Sequence, residues 1–377
     1  MNPYYQNKLT VLPLFIVILM YIGFFASSDV LGAQAISSAF SLPVNWGIIL
    51  VSLIAFVITL FGYDLIHKME KLFAIIFAIV FIFVTVEAFR LPMSAHAWAP
   101  GHLAIGPFLL TVSIAATWQL TYAPYVADYS RYLPSNTPSS KTFAYTYAGT
   151  VIGTVWMMCL GVILKALIPK FLSNSSAALA KLVGPQFAVV MYVVIVLGVL
   201  AVNVLNLYGA FMSITTTLEA FTKLKATTKA RFWLVLFTLI IGTFLAIWGN
   251  GNFLGNFENF ILLLSYFMVP WTAINLIDYY LLRRGDYQIW DVFDVNGQYG
   301  KYNWVAITAY LISVILEIPF VNTTMYVGPI SKALHGTDIA WIMGLIVPLA
   351  FYYFPMRKKM NQPISNLVLS NVLEAEE

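Results

Sequence analysis

Between Thr117 and Pro134 the chain reads TWQLTYAPYVADYSRYLP, which places an indole (Trp118), a carboxamide (Gln119), a proline (Pro124) and an acid and base (Asp128, Arg131) within eighteen residues. An indole offers a flat, polarisable face, and a carboxamide offers a donor and an acceptor side by side. Groups of this kind hold a planar polar molecule; they do not cleave one. Polar residues also interrupt apolar runs elsewhere: Ser27, Ser28 and Asp29 in FFASSDVLGAQ, Asn203 and Asn206 in LAVNVLNLYGAF, and Glu317 in ISVILEIPF. Ionisable residues inside a membrane are costly unless paired, and they mark substrate or ion pathways. Asp29 is therefore a candidate for binding a coupling cation, with a helix end at the membrane interface as its structural alternative.

Catalysis has little to work with. The single cysteine, Cys159, lies within an apolar run, and His67, His96, His102 and His335 are spaced unlike any zinc motif. There is no GxSxG, no phosphate-binding loop and no dinucleotide fingerprint. No catalytic residue, metal or cofactor is expected, and a transporter is favoured over an enzyme.

The elements that would position these groups are membrane helices. Of the 377 residues 60% are hydrophobic and only 10% are charged, with a mean hydropathy of +0.83. Crossing about 30 Å of hydrocarbon takes about 20 residues of helix. Ten such stretches recur, near 11–30, 46–63, 72–89, 104–127, 146–168, 187–214, 232–250, 256–280, 303–322 and 338–356, so residues 1–377 form one all-α transmembrane domain. With a cytoplasmic N-terminus, only five of the 20 basic residues (Arg90, Lys165, Lys170, Lys181 and Lys332) fall outside. That bias predicts both termini on the cytoplasmic side of a plasma membrane. Pro124 lacks an N–H and clashes with the preceding turn, so the fourth span should kink or open there. Open backbone at membrane depth must be buried in protein or line a cavity, and discontinuous helices are where secondary transporters bind substrates. Asp128 with Arg131, and Asp278 with Arg283 and Arg284, are candidate inner-gate pairs or ordinary interfacial snorkelling. Pro270 should bend the eighth span, as a gate hinge or as simple kinked packing.

The stretch WQLTYAPYVADYSRYLP resembles the sixth transmembrane segment of the nucleobase:cation symporter family, in its purine-cytosine permease branch. NVLNLYGAFMS (Asn203 to Ser213) resembles the eighth segment, and LLSYFMVPWTAINLIDYYLLRRGDY (Leu263 to Tyr287) the tenth with its following loop. The resemblance implies a LeuT-like fold of two inverted five-helix repeats plus two helices. Leu9 onward resembles the third segment, so the pattern is N-terminally incomplete by two spans; a shortened gene reading or a truncated remnant would explain that.

The resemblance further implies that Trp118 stacks on a nucleobase, that Asn206 hydrogen-bonds it, that Phe24 closes over the ring, and that Ser28 is a polar contact. Gln119 joins this set from its place beside Trp118. Trp118 and Phe24 are thus expected to sandwich the ring. Sodium-using relatives carry two hydroxyls where this chain has Ala201 and Val202, and methyl groups cannot ligate sodium. The implied activity is uptake of cytosine or purines by cation symport, with H+ favoured over Na+. Allantoin, hydantoin or a thiamine-precursor pyrimidine are alternative substrates, and a non-transporting membrane sensor or remnant is the alternative class. The partners are a small heterocycle, the coupling cation and the lipid bilayer, with no nucleic acid.

Overall fold

The computed structural model describes residues 11–61, 63–92, 101–130, 133–134, 136–219, 227–292, 294, 297–300 and 302–360. Long helices follow the apolar runs: α1 Val11–Phe40, α2 Val44–Phe61, α3 Tyr63–Arg90, α4 Ile105–Thr121, α5 Ala123–Ser130, α6 Ser139–Leu167, α7 Ser175–Leu182, α8 Ala188–Glu219, α9 Thr228–Gly249 and α10 Phe253–Leu276. The short α11 Ile289–Val292, then α12 Trp304–Glu317, α13 Pro329–Ala333, α14 Ala340–Pro348 and α15 Phe354–Met360 complete the chain. Among the described residues seven stretches are long and apolar enough to cross a membrane, and one of these, Thr228–Leu282, contains both α9 and α10. The fourth apolar run falls below that length because it is broken, and the ninth is the shorter apolar stretch Trp304–Phe320.

Helix α1 is the hub, packing on α2, α8, α9 and α10. Its Phe25 and Ile36 join Val51 and Ala55 of α2, Val199 and Leu207 of α8 and Val235 of α9 in one buried cluster. Met20, Tyr21 and Phe24, on its other side, join Ile261, Leu264 and Met268 of α10. Lipid offers no hydrophobic drive for helices to associate, so small residues that let backbones approach closely carry much of this packing. Gly47 of α2 meets the Ala33 backbone of α1, and Gly209 of α8 meets the Tyr21 ring. A Cβ at Gly209 would lie 2.5 Å from Tyr21 Cε1, and Tyr21 is only 1% exposed, so the ring has nowhere to go. Gly209→Ala is expected to destabilise the protein by about 1–3 kcal/mol through overpacking; thermal unfolding in detergent measures it.

One departure from the sequence reading alters the site. The first helix does not end near residue 30: no proline stands between Val30 and Phe40, Gly32 packs inside the helix against Val199 and Val51, and α1 stops only where Ser41 turns left-handed (φ 55°) ahead of Pro43. Asp29 is therefore interior to a 30-residue helix and fully buried, which corrects its reading as an interfacial helix end. Pro270 does not interrupt α10, which runs on to Leu276 and then loosens into a π-helical turn over Ile277–Leu282.

Candidate functional site

The site is built on the break in the fourth apolar run. Helix α4 ends at Thr121 and α5 begins at Ala123, with Tyr122 between them. Pro124 cannot donate to Leu120, so the chain closes instead through Tyr122 N–H to Gln119 O (3.2 Å), and the Thr121 hydroxyl donates to Trp118 O at 3.0 Å. The break leaves Trp118 at the end of one helix and Tyr125 at the start of the next, both turned toward α1.

Phe24 is buried and stands at the centre of an aromatic cluster. The Trp118 ring meets it at 5.9 Å between centroids with an interplanar angle of 88°, Phe260 at 5.3 Å and 82°, and Phe257 at 6.5 Å and 64°. These are edge-to-face contacts, the favoured geometry for ring quadrupoles. A flat ligand between two parallel rings needs about 7 Å, twice the optimal carbon contact. In this conformation Trp118 and Phe24 touch each other and do not face one another across a slot, so a sandwich requires one of the rings to turn. Trp118 is 42% exposed and thus has room to do so.

One turn before Phe24, Tyr21 packs edge-on against Tyr125 at 4.8 Å, and Tyr122 stacks on the other side of Tyr125 at 5.8 Å. The Tyr125 hydroxyl donates to Asn206 Oδ1 at 2.5 Å. Asn206 is fully buried on α8, and its Nδ2 has no hydrogen-bond partner among the described residues. Buried amide groups normally find partners. Two aromatic groups one turn apart on α1 thus frame the site: Phe24 meets Trp118, and Tyr21 meets the Tyr125 that bonds Asn206. Gln119 and Ser28 are half-buried beside Trp118 and Asp29 in sequence, and among the described residues no hydrogen bond joins either side chain to this cluster.

A second polar cluster lies further along α1. Asp29 accepts from Asn203 Nδ2 of α8 at 2.7 Å and from the Ser52 hydroxyl of α2, and Ser52 accepts from the Thr243 hydroxyl of α9 at 2.8 Å. Four helices thus converge on one carboxyl group, and Asn203 Oδ1 is left without a partner among the described residues. Sequence reasoning singled out Asp29 but missed Ser52 and Thr243, which sit in apolar runs with no distinguishing spacing.

Of the gate candidates, the Asp128 side chain and Arg131 lie outside the described residues. Asp278 is a hub: it accepts from Arg283 Nε (3.0 Å), the Tyr287 hydroxyl (2.6 Å) and the Tyr352 hydroxyl (2.6 Å). Arg283 also lies over the Tyr299 ring at 4.5 Å. Burial and the neighbouring Asp278 carboxylate hold the Tyr287 phenol above its ordinary range, so it stays a donor. Arg284 instead occupies a left-handed turn (φ 52°). The Asp278–Arg283 pair is largely buried, with side chains 17% and 14% exposed. Asp278→Ala would strand its donors and is expected to cost about 2–3 kcal/mol, read as a lower unfolding temperature in detergent. Pro270 is buried and packs where Gly344 brings α14 against α10. Glu317 is 1% exposed and faces Gly344, with neither carboxylate oxygen hydrogen-bonded among the described residues; this is a packing position away from the aromatic cluster.

Comparison with known proteins gives a consistent picture. Residues 8–344 match the profile of the family described as permease for cytosine/purines, uracil, thiamine, allantoin. The chain is 51% identical over 352 residues to "Putative purine-cytosine permease YxlA" of Bacillus subtilis (strain 168), covering 93% of this chain and 77% of that protein. It is 25% identical over 359 residues to "Purine-cytosine permease fcyB" of Emericella nidulans, covering 90% of this chain and 68% of the relative. A solved structure, "Inward facing conformation of Mhp1", superposes with a TM-score of 0.66 at 18% identity, covering 93% of this chain and 74% of that one, and so shares its fold. This is the all-α, LeuT-like inverted-repeat fold that the sequence resemblance implies. The chain belongs to the family of permeases for cytosine/purines, uracil, thiamine and allantoin, and is an integral, multi-pass membrane transporter and not an enzyme.

Proposed function

We propose that the chain imports a nucleobase, cytosine or a purine, across the plasma membrane by proton symport, with both termini cytoplasmic. The observation that carries this reading is the unpartnered amino group of buried Asn206 beside an aromatic cluster opened by a helix break. A nucleobase is planar and carries hydrogen-bonding edges, so aromatic faces supply affinity and an amide supplies discrimination. The names of the relatives support the substrate class, and the basic residues on one side of the chain support the orientation. Trp118 stacks on the base, Phe24 closes the pocket, Asn206 reads the edge, and Gln119 and Ser28 line the approach. Asp278 with Arg283, and Asp128 with Arg131, act at the inner gate, with Pro270 in the moving helix.

Asp29 carries the coupling proton. A buried carboxylate costs several kcal/mol unless it is neutralised, and protonation from the acidic side followed by release inside is the simplest way to couple that cost to transport. The side chains of Ala201 and Val202 contribute no oxygen for sodium. Radiolabelled cytosine and adenine uptake, in cells lacking their own nucleobase permeases, should rise with an acid-outside gradient and persist when choline replaces sodium. Uptake abolished by choline would remove the proton assignment, and no uptake of either base would remove the substrate assignment.

A further inference from the structure

We infer that Tyr125 is a positioning residue that locks the Asn206 carboxamide with its amino group toward the ligand, so that the site selects heterocycles presenting an unprotonated acceptor on the edge that faces α8. This inference rests on the proposed transport of nucleobases and adds which edge chemistry is read and which residue sets it.

The Tyr125 phenol pairs with the oxygen end of the Asn206 amide, donating its hydroxyl proton to Oδ1. The amide oxygen is thereby occupied. What remains of Asn206 is its amino group, which is buried and has no partner among the described residues. An amide alone could turn over and greet either a donor or an acceptor. Tied to a tyrosine, it offers only N–H.

The tyrosine is itself held. Tyr21 abuts its ring edge-on at 4.8 Å and Tyr122 stacks on it at 5.8 Å with planes 16° apart. Tyr21 in turn is pinned against Gly209, one helical turn beyond Asn206 on α8. The break at Tyr122 makes this possible, because it releases Tyr125 onto a separate short helix beside α1 and α8. A site whose polar group is fixed in this way rejects an analogue lacking the matching atom far more strongly than a freely rotating one, since the buried N–H is then left unpaired.

The test is competition against labelled adenine by 1-, 3- and 7-deazaadenine, and against labelled cytosine by 3-deazacytosine, using the full chain in proteoliposomes. Each analogue replaces one ring-nitrogen acceptor by C–H at constant shape. In the native protein at least one analogue should compete about tenfold or more worse than its parent base. In Tyr125→Phe, which keeps the ring packing on Tyr21 and Tyr122, that ratio should fall below about threefold while the parent base still binds, because the freed amide adapts. A purely structural role would change affinity for parent and analogue alike. Should Tyr125→Phe misfold, Asn206→Asp serves instead: it retains an acceptor for the phenol but has no amino group, and its discrimination should vanish likewise. Full discrimination in either variant, or native protein to which every analogue binds as well as its parent, overturns the inference while leaving base transport standing. Failure of native protein to retain either parent base overturns the transport proposal and the inference with it.

Discussion

Trp118→Ala is expected to weaken nucleobase affinity by about 5- to 150-fold, the factor equivalent to about 1–3 kcal/mol for one base–aromatic stack. Two effects compete in any tryptophan truncation, lost ligand contact and lost packing. Here the first dominates, because the indole is 42% exposed and its one ring contact among the described residues is the edge-to-face meeting with Phe24. Removing it seals no cavity inside the bundle, so protein level and unfolding temperature should stay near native. Trp118→Phe should restore most of the affinity, since a smaller aromatic face still stacks. The apparent KM for labelled cytosine or adenine measures both variants. An unchanged KM in Trp118→Ala would remove the indole from the pocket.

Asp29→Asn should abolish accumulation against a gradient while leaving binding largely intact. One proton per base gives about tenfold accumulation for each unit of pH across the membrane, since 1.4 kcal/mol is one decade. The amide fills the same space; its oxygen keeps an acceptor for the Asn203 amino group and its own amino group can donate to the Ser52 hydroxyl, so the junction of α1, α2, α8 and α9 is preserved. What it lacks is a titratable proton. Proteoliposomes bearing the variant should show base exchange but accumulation no higher than equilibrium, whatever the imposed pH gradient. Native-like response to the gradient would place the coupling group elsewhere. Ser52→Ala is the milder counterpart, leaving the carboxyl in place but removing two hydrogen bonds, to Asp29 and from Thr243, each worth about 1 kcal/mol.

The legible parts of the site are those set by local chemistry. Pro124 announces its own break because the missing N–H acts within one turn, and the structure interrupts the helix at Tyr122. Asn206 stands out because a carboxamide in an apolar run has no local use. Pairings between residues distant in sequence were not legible. Tyr125 meets Asn206 across 81 positions, and Thr243 meets Ser52 across 191. Serine and threonine in membrane helices commonly satisfy themselves on the preceding turn, as Thr238 does on Leu234 O and Thr59 on Ala55 O, so nothing in the sequence separates the hydroxyl that reaches across. The burial of Asp29 was hidden by its neighbours: Ser27, Ser28 and Asp29 together look like a helix terminus, yet no proline follows before Phe40, Gly32 packs against Val199, and α1 continues to Phe40. Ring orientation was equally hidden, since spacing brings Trp118 and Phe24 together without setting the angle between them.

The central claim is that an interrupted helix and its neighbour hold a flat heterocycle between an indole and a carboxamide. A structure of the protein bound to cytosine or adenine tests it most directly. The expected structure has the ring against the Trp118 face with an acceptor atom within hydrogen-bonding distance of Asn206 Nδ2, and Tyr125 still donating to Asn206 Oδ1. A base bound away from Trp118, or an Asn206 amide turned from the ligand, would contradict it.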